Sequence, residues 1–277
     1  MNSNRSFQEE NYSQLIKSIK KRERRALLIW IGSVVLVALL STPSVLGGGT
    51  GLPMPLALAI LGISFMIYLF YTGTIRACFT NALDIECDPK KYRALLECQN
   101  IKPRNHMAVS SQMFSAAFFA GEFEEALEYA NDYYEKSGSR FKVNALFCKI
   151  RVCYFMGDMK QLEQCVNEFY SLRAEPMKEG EGVLYSVLTH YVDAMAALSK
   201  NDVDALKEIS PRLVPWRDTN IVRIQTDYFQ GISAYITGKY EDAEYKLSRV
   251  CEFGAKTFLG ALAKACLEKL GEEKNRE

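Results

Sequence analysis

The 50 residues from Ala26 to Ile75 include no Asp, Glu, Lys, Arg or His, in a chain where charged residues make up 24%. Such a run limits what the chain can fold into more than any other feature. A bilayer core takes about 20 apolar residues per crossing helix, so the run predicts two membrane spans. They read ALLIWIGSVVLVALLS and PLALAILGISFMIYLFY, placed at about 26–45 and 54–72. STPSVLGGGTGLPM lies between them, and its Gly and Pro punctuate a turn. Two other arrangements place apolar residues together in this way: a pair of buried core helices, and a cleaved secretory signal. A soluble helix keeps a polar face toward water, and neither segment has one. The charged stretch before Ala26 is long for a signal, and no clear cleavage site follows the apolar run.

The flanks predict orientation. Lys17, Lys20, Lys21, Arg22, Arg24 and Arg25 precede the first span, and Arg76, Lys90, Lys91 and Arg93 follow the second. The connecting loop is uncharged. Basic residues resist translocation, so both termini are expected in the cytoplasm of a multi-pass cell-membrane protein. Trp30, Tyr68 and Tyr71 fit an interfacial aromatic belt on that side. All eight cysteines (78, 87, 98, 148, 153, 165, 251 and 266) follow the second span, among apolar neighbours and without a CxxC pair. Reduced cytoplasmic thiols fit this pattern better than an extracellular disulfide framework.

Residues 1–25 hold seven basic and three acidic side chains, whereas residues 26–277 hold 27 basic and 30 acidic. The cluster KKRERR at 20–25 would attract anionic headgroups by roughly 1 kcal/mol per basic residue. As a topology signal the segment needs no further role. Leu15, Ile16 and Ile19 suit a short juxtamembrane helix.

Residues 77–277 read as helix almost throughout, because no alternating strand pattern persists. Asp88-Pro89 is an N-cap followed by Pro at the first helical position, and opens a helix predicted to end near Gln99. Four later stretches share one shape: AAFFAGEFEEALEYA at 116–130, VCYFMGDMKQLEQCV at 152–166, AMAALSKNDVDALKEI at 194–209 and SAYITGKYEDAEYKL at 233–247. Each predicts a helix, a tight turn and a second helix, with the turns at Gly121, Gly157, Asn201 and Gly238. Gly and Asn suit an exit through left-handed backbone. The small residues Ala126, Ala205 and Ala243 are expected where the second helix nears the first. A polar linker is expected at 174–182 and a capping helix at about 255–270. A spacing of 36 to 44 residues between turns marks stacked helix pairs that bury a shared apolar face.

This pattern resembles the tetratricopeptide repeat family over roughly residues 107–250. The fourth unit carries it best, through Gly231, Ala234, Tyr235, Gly238, Tyr240 and Ala243. The first matches at Ala117, Phe118, Gly121, Phe123 and Ala126. The second has Leu162 where that family uses Ala, and the third has Ser199-Lys200-Asn201 in place of the turn glycine. Together with the two spans read from the uncharged run, the resemblance gives an all-α protein: an N-terminal transmembrane helical hairpin followed by a tetratricopeptide-like α-solenoid of helix pairs. It also implies a concave groove for a protein or peptide partner. By their positions in the first helices, Phe118, Phe147, Arg151, Tyr154, Tyr191, Tyr228, Ile232 and Tyr235 would line that groove or its floor.

No catalytic constellation emerges. The two histidines, His106 and His190, stand apart without metal-ligand spacing. GGGTG lacks the lysine and strand of a phosphate loop, and no G-x-S-x-G elbow occurs. Glu124-Glu125 and Glu241-Asp242 start second helices, where they complement the helix dipole. The spans hold no ionisable group of the kind a proton or ion pathway uses. The sequence therefore predicts a non-enzymatic, membrane-anchored scaffold with no cofactor and no metal. Its slightly acidic cytoplasmic part argues against a nucleic-acid partner. The competing expectation is a structural or regulatory subunit recognised through its spans.

Overall fold

A computed structural model of the chain describes residues 2–45, 53–98, 106–172 and 181–274. All regular structure among them is helical, and the chain divides into two compact units, Met1–Asn81 and Ala82–Glu277.

The first unit holds α1 (Asn2–Val45) and most of α2 (Met54–Asp84). The expected juxtamembrane helix and first apolar segment are one continuous helix, with no break at the basic cluster. Among the described residues, α2 is the one helix long and apolar enough to cross a membrane, judged by length and composition. It continues well beyond the expected end at 72. The glycine-rich stretch at 46–52 lies outside the described residues. Both helices display large apolar side chains, with Leu28, Leu39, Ile63 and Phe70 each more than 60% exposed. Polar atoms in these segments turn inward: Ser33 Oγ donates to Ile29 O at 2.8 Å, and Thr72 Oγ1 to Tyr68 O at 3.0 Å. Such back-bonding leaves the outer surface without free hydroxyl donors at these positions. The Trp30 ring lies 5.8 Å from Tyr68 and 6.4 Å from Phe65, so the two helices meet near the basic end of the apolar run.

The second unit begins at the end of α2 and continues through α3 (Pro89–Cys98). Four helix pairs follow: α4 (His106–Ala120) with α5 (Phe123–Lys136), α6 (Ser139–Met156) with α7 (Met159–Ser171), α8 (Glu181–Lys200) with α9 (Val203–Ile209), and α10 (Asn220–Ile236) with α11 (Tyr240–Phe253). The last helix is α12 (Phe258–Lys274). Most of the expected polar linker lies outside the described residues.

The four pairs share one turn. Gly121, Gly157, Asn201 and Gly238 have φ of 81°, 73°, 52° and 77°. In each case the turn residue's N–H donates to the carbonyl three positions back. The next N–H reaches five positions back, as in Gly121 to Phe118 and Glu122 to Ala117. This satisfies carbonyls left open at a helix end. The second helix then starts with Glu122, Asp158, Asp202 or Lys239 as its N-cap. Asp158 and Asp202 cap through their side chains, accepting from Gln161 N at 3.0 Å and Ala205 N at 3.1 Å. Five positions beyond each turn residue lies a buried contact: Ala126, Leu162, Leu206 and Ala243. The third unit therefore differs from the sequence expectation by one residue. Leu206 is fully buried and Ala205 only half-buried.

The second unit also brings distant segments together. Asp88 caps α3 by accepting from Lys91 N at 2.9 Å, and its other oxygen accepts from Lys256 Nζ at 2.8 Å. Asn220 Nδ2, at the start of α10, donates to Ile85 O at 2.9 Å. Phe258, the first residue of α12, sets its ring 5.2 Å from Phe118, 5.0 Å from Phe123 and 4.8 Å from Phe155. Thus α12 packs on α4 and α6 as well as on the adjacent α11, and it is more than a cap on the end of a row.

Candidate partner-binding face

The first helices α4, α6, α8 and α10 supply the aromatic residues expected to line a groove, and the structure turns most of them toward one another. Phe118, Phe147, Arg151, Tyr191 and Tyr228 are buried, while Tyr154, Ile232 and Tyr235 are half-buried. Phe147 and Tyr191 stand 6.2 Å apart, and Tyr191 continues to Phe229 at 6.1 Å. Tyr154 meets Phe229 at 5.8 Å, and Tyr228 meets Phe155 at 5.9 Å. Tyr235 belongs to a separate cluster with Tyr240 against Ala234, Ala243 and Leu270. Five of the eight expected groove positions thus lie within the packing of the chain, and Tyr154, Ile232 and Tyr235 keep part of their surface open. The apolar area of the five buried residues is covered by other segments of the same chain, which provide the same hydrophobic gain that a partner would.

Four residues that complete this face carry weak sequence signals. Phe155 bridges Phe118, Tyr228 and Phe258. Phe229 connects α10 to Tyr154 and Tyr191. Phe258 arrives from outside the repeated stretches. Trp216 comes from the non-helical segment before α10, where no periodicity marks it, and stacks edge-on against Phe147 at 5.4 Å and Tyr191 at 4.9 Å. Its segment is held down by Tyr191, whose hydroxyl donates to Val214 O at 2.9 Å and lies 2.6 Å from Thr226 Oγ1.

Arg151 is the polar centre of the face. Its guanidinium lies 4.8 Å from the Phe118 and Phe147 ring centres, 5.0 Å from Phe114 and 5.9 Å from Trp216. One amino group donates to Gln225 Oε1 at 3.1 Å and the other to Cys148 Sγ at 3.5 Å. Arg151 Nε and Gln225 Nε2 are buried with no acceptor among the described residues. Four aromatic faces thus stand in for the carboxylate that a buried arginine usually has. Loss of water lowers the guanidinium's pKa from its ordinary value, and the neighbouring Cys148 opposes this. The Cys148 thiol is pushed up by the same burial, against the pull of Arg151. A thiol so shifted stays protonated and unreactive.

Among the described residues, no group of three His, Cys, Asp or Glu converges to hold a metal ion. His190 sits half-buried on α8, and Cys148 and Cys153 are both buried in α6. Three clefts among the described residues lie along α10 and α11. Comparison of the chain with protein-family models, curated proteins and solved structures gives no match.

Proposed function

We propose that this chain is a membrane-anchored scaffold whose second unit, a tetratricopeptide-like stack of helix pairs, captures protein partners at the cytoplasmic face. The observation that carries the reading is the exposed apolar surface of α1 and α2. Leu27 through Leu40 and Met54 through Tyr71 contribute most of the large exposed hydrophobic side chains of the described residues. A water-soluble protein does not leave a continuous apolar patch of that extent uncovered. Lipid covers it at no cost, provided the backbone is satisfied within helices. On this reading α2 crosses the bilayer, the apolar part of α1 crosses beside it, and the basic residues at 17–25 hold the N-terminus on the cytoplasmic side. The four identical turns support the repeat reading, because they give each pair the same geometry.

Partner capture is tested by exchanging residues 26–75 for an unrelated two-span hairpin and comparing co-purification from detergent-solubilised membranes. Retention of the same partners with the exchanged anchor supports recognition by the second unit. Their loss assigns recognition to the spans, which is the alternative of a structural or regulatory subunit.

A further inference from the structure

Three clefts of ≈ 150, ≈ 290 and ≈ 250 Å³ adjoin one another along α10. The first two share Arg223, Asp227 and Arg249; the last two share Gln230 and Lys246. They form one trough, floored by α10 and walled by α11 on one side and by α9 with the 210–215 segment on the other. Its floor follows residues 223, 227, 230, 234 and 237, a spacing that keeps one helix face in line. At 1.5 Å per residue the floor is about 21 Å long, which is the span of about six extended residues. The trough lies between the second helices of two pairs, and Thr226, which meets Tyr191 of the aromatic face, borders it.

Five basic side chains line the trough against the two acids Asp227 and Asp242, and at its rim the exposed Asp218 and Asp204 pair with Arg223 and Lys207, which leaves one cation in excess in a chain whose residues 26–277 are net acidic. Two of the cations are fixed in place. The largely buried Asp227 carboxylate lies 3.2 Å from Lys246 Nζ and 3.4 Å from Arg249 Nη1, one oxygen to each. Each cation keeps further N–H donors, since one contact satisfies only part of an ammonium or guanidinium. Gln230 Nε2 donates to Leu213 O at 2.9 Å and fixes one wall to the floor. Lys239 extends the positive potential toward one end, and at the other Arg223 pairs with the exposed Asp218 and keeps its remaining N–H donors.

We propose that this trough binds an extended acidic peptide segment of a partner protein, an inference that rests on the partner-capturing role assigned above. The length favours a chain of charges over a single anion. The walls keep a flat lipid surface away from Asp227 and Gln230. Phe253 is the one aromatic lining residue, so a nucleic-acid strand would find no ladder of stacking platforms. Fixed cations discriminate by charge complementarity.

The test uses the full chain in phosphatidylcholine nanodiscs and fluorescence anisotropy of a labelled octapeptide of alternating Glu and Ser. Its counterpart has Gln in place of Glu. The proposal expects salt-sensitive binding of the acidic peptide and at least tenfold weaker binding of the Gln peptide. The double variant Arg223→Glu with Lys239→Glu is expected to lose at least tenfold in affinity. Arg223→Lys with Lys239→Arg, and Lys160→Glu on α7, are expected to bind as the unaltered chain does, with circular dichroism confirming equal folding. Equal binding of the two peptides overturns the proposal. So does undiminished binding by the charge-reversed variant, which would place the peptide on the basic N-terminal segment. Displacement of the peptide by phosphatidylserine vesicles as effectively as by unlabelled acidic peptide also overturns it, in favour of a lipid surface. Loss of the anchored-scaffold reading shows separately, as failure of the chain to sediment with membranes.

Discussion

A Cβ placed on Gly121 would lie 3.1 Å from Phe258 Cβ, so the turn between α4 and α5 and the first residue of α12 are in contact. Two features favour Gly at position 121. Its φ of 81° disfavours any side chain, and Phe258 occupies the space a side chain would need. Gly157 and Gly238 share the positive φ but face open space.

Alanine substitutions separate these two effects. Gly157→Ala and Gly238→Ala are each expected to cost about 1–2 kcal/mol for the left-handed backbone alone. Gly121→Ala is expected to cost more, because α12 must also shift. Urea denaturation gives the three values, and equal losses would show that α12 does not press on this turn.

Arg151 gives a second test. A charge buried without a carboxylate contributes little net stability, and an apolar side chain of similar length fills its space. Arg151→Met is expected to be neutral or stabilising. Gln225→Leu, which removes an acceptor and leaves the guanidinium in place, is expected to cost about 1–3 kcal/mol. A large loss in Arg151→Met alone would mean that the aromatic rings compensate the charge fully.

Stability should fall as pH rises above about 9. Burial pushes the Tyr154 phenol from 10.0 to about 12, with a smaller contribution from Cys266. Burial, aided by Asp84, pushes the Cys87 thiol from 9.0 to about 12. Between the ordinary and raised values the unfolded chain has lost these protons and the folded chain keeps them. Unfolding then releases protons, so increasing pH favours it. The stabilising contribution is complete below pH 9 and is lost as pH approaches 12. Melting temperatures measured across that window should decline steadily, and a flat profile would contradict the burial of these groups.

The cysteines differ in exposure. Cys78 is exposed, whereas Cys148, Cys153 and Cys165 are buried. A membrane-impermeant maleimide is expected to label Cys78 in permeabilised cells and not in intact ones, and to label Cys148, Cys153 and Cys165 only after denaturation. Labelling of Cys78 in intact cells would place the second unit outside.

The sequence made the repeated turns legible, because left-handed backbone restricts residue choice. Gly121, Gly157, Asn201 and Gly238 all have positive φ, and among the described residues Cys87 is the one other non-glycine that does. Nothing about Cys87 as a residue type signals that conformation. The helix start at Asp88-Pro89 was equally readable, since its cap is chemical. What covers the aromatic face was not. Helical periodicity identifies Phe118, Phe147 and Tyr191 as apolar positions, but the pattern is the same whether a partner or another helix of this chain packs on them. Phe258 and Trp216 supply that cover from segments outside the four similar stretches. The trough was also hidden, because Arg223, Lys246 and Arg249 converge only after α10 and α11 pair around Asp227.

The central claim is that α1 and α2 anchor the chain in lipid. Membranes from cells expressing the full chain, washed with alkaline carbonate and sedimented, test it most directly. The account predicts that the chain stays in the pellet after the wash and is released only by detergent. Recovery of the chain in the aqueous supernatant would contradict it.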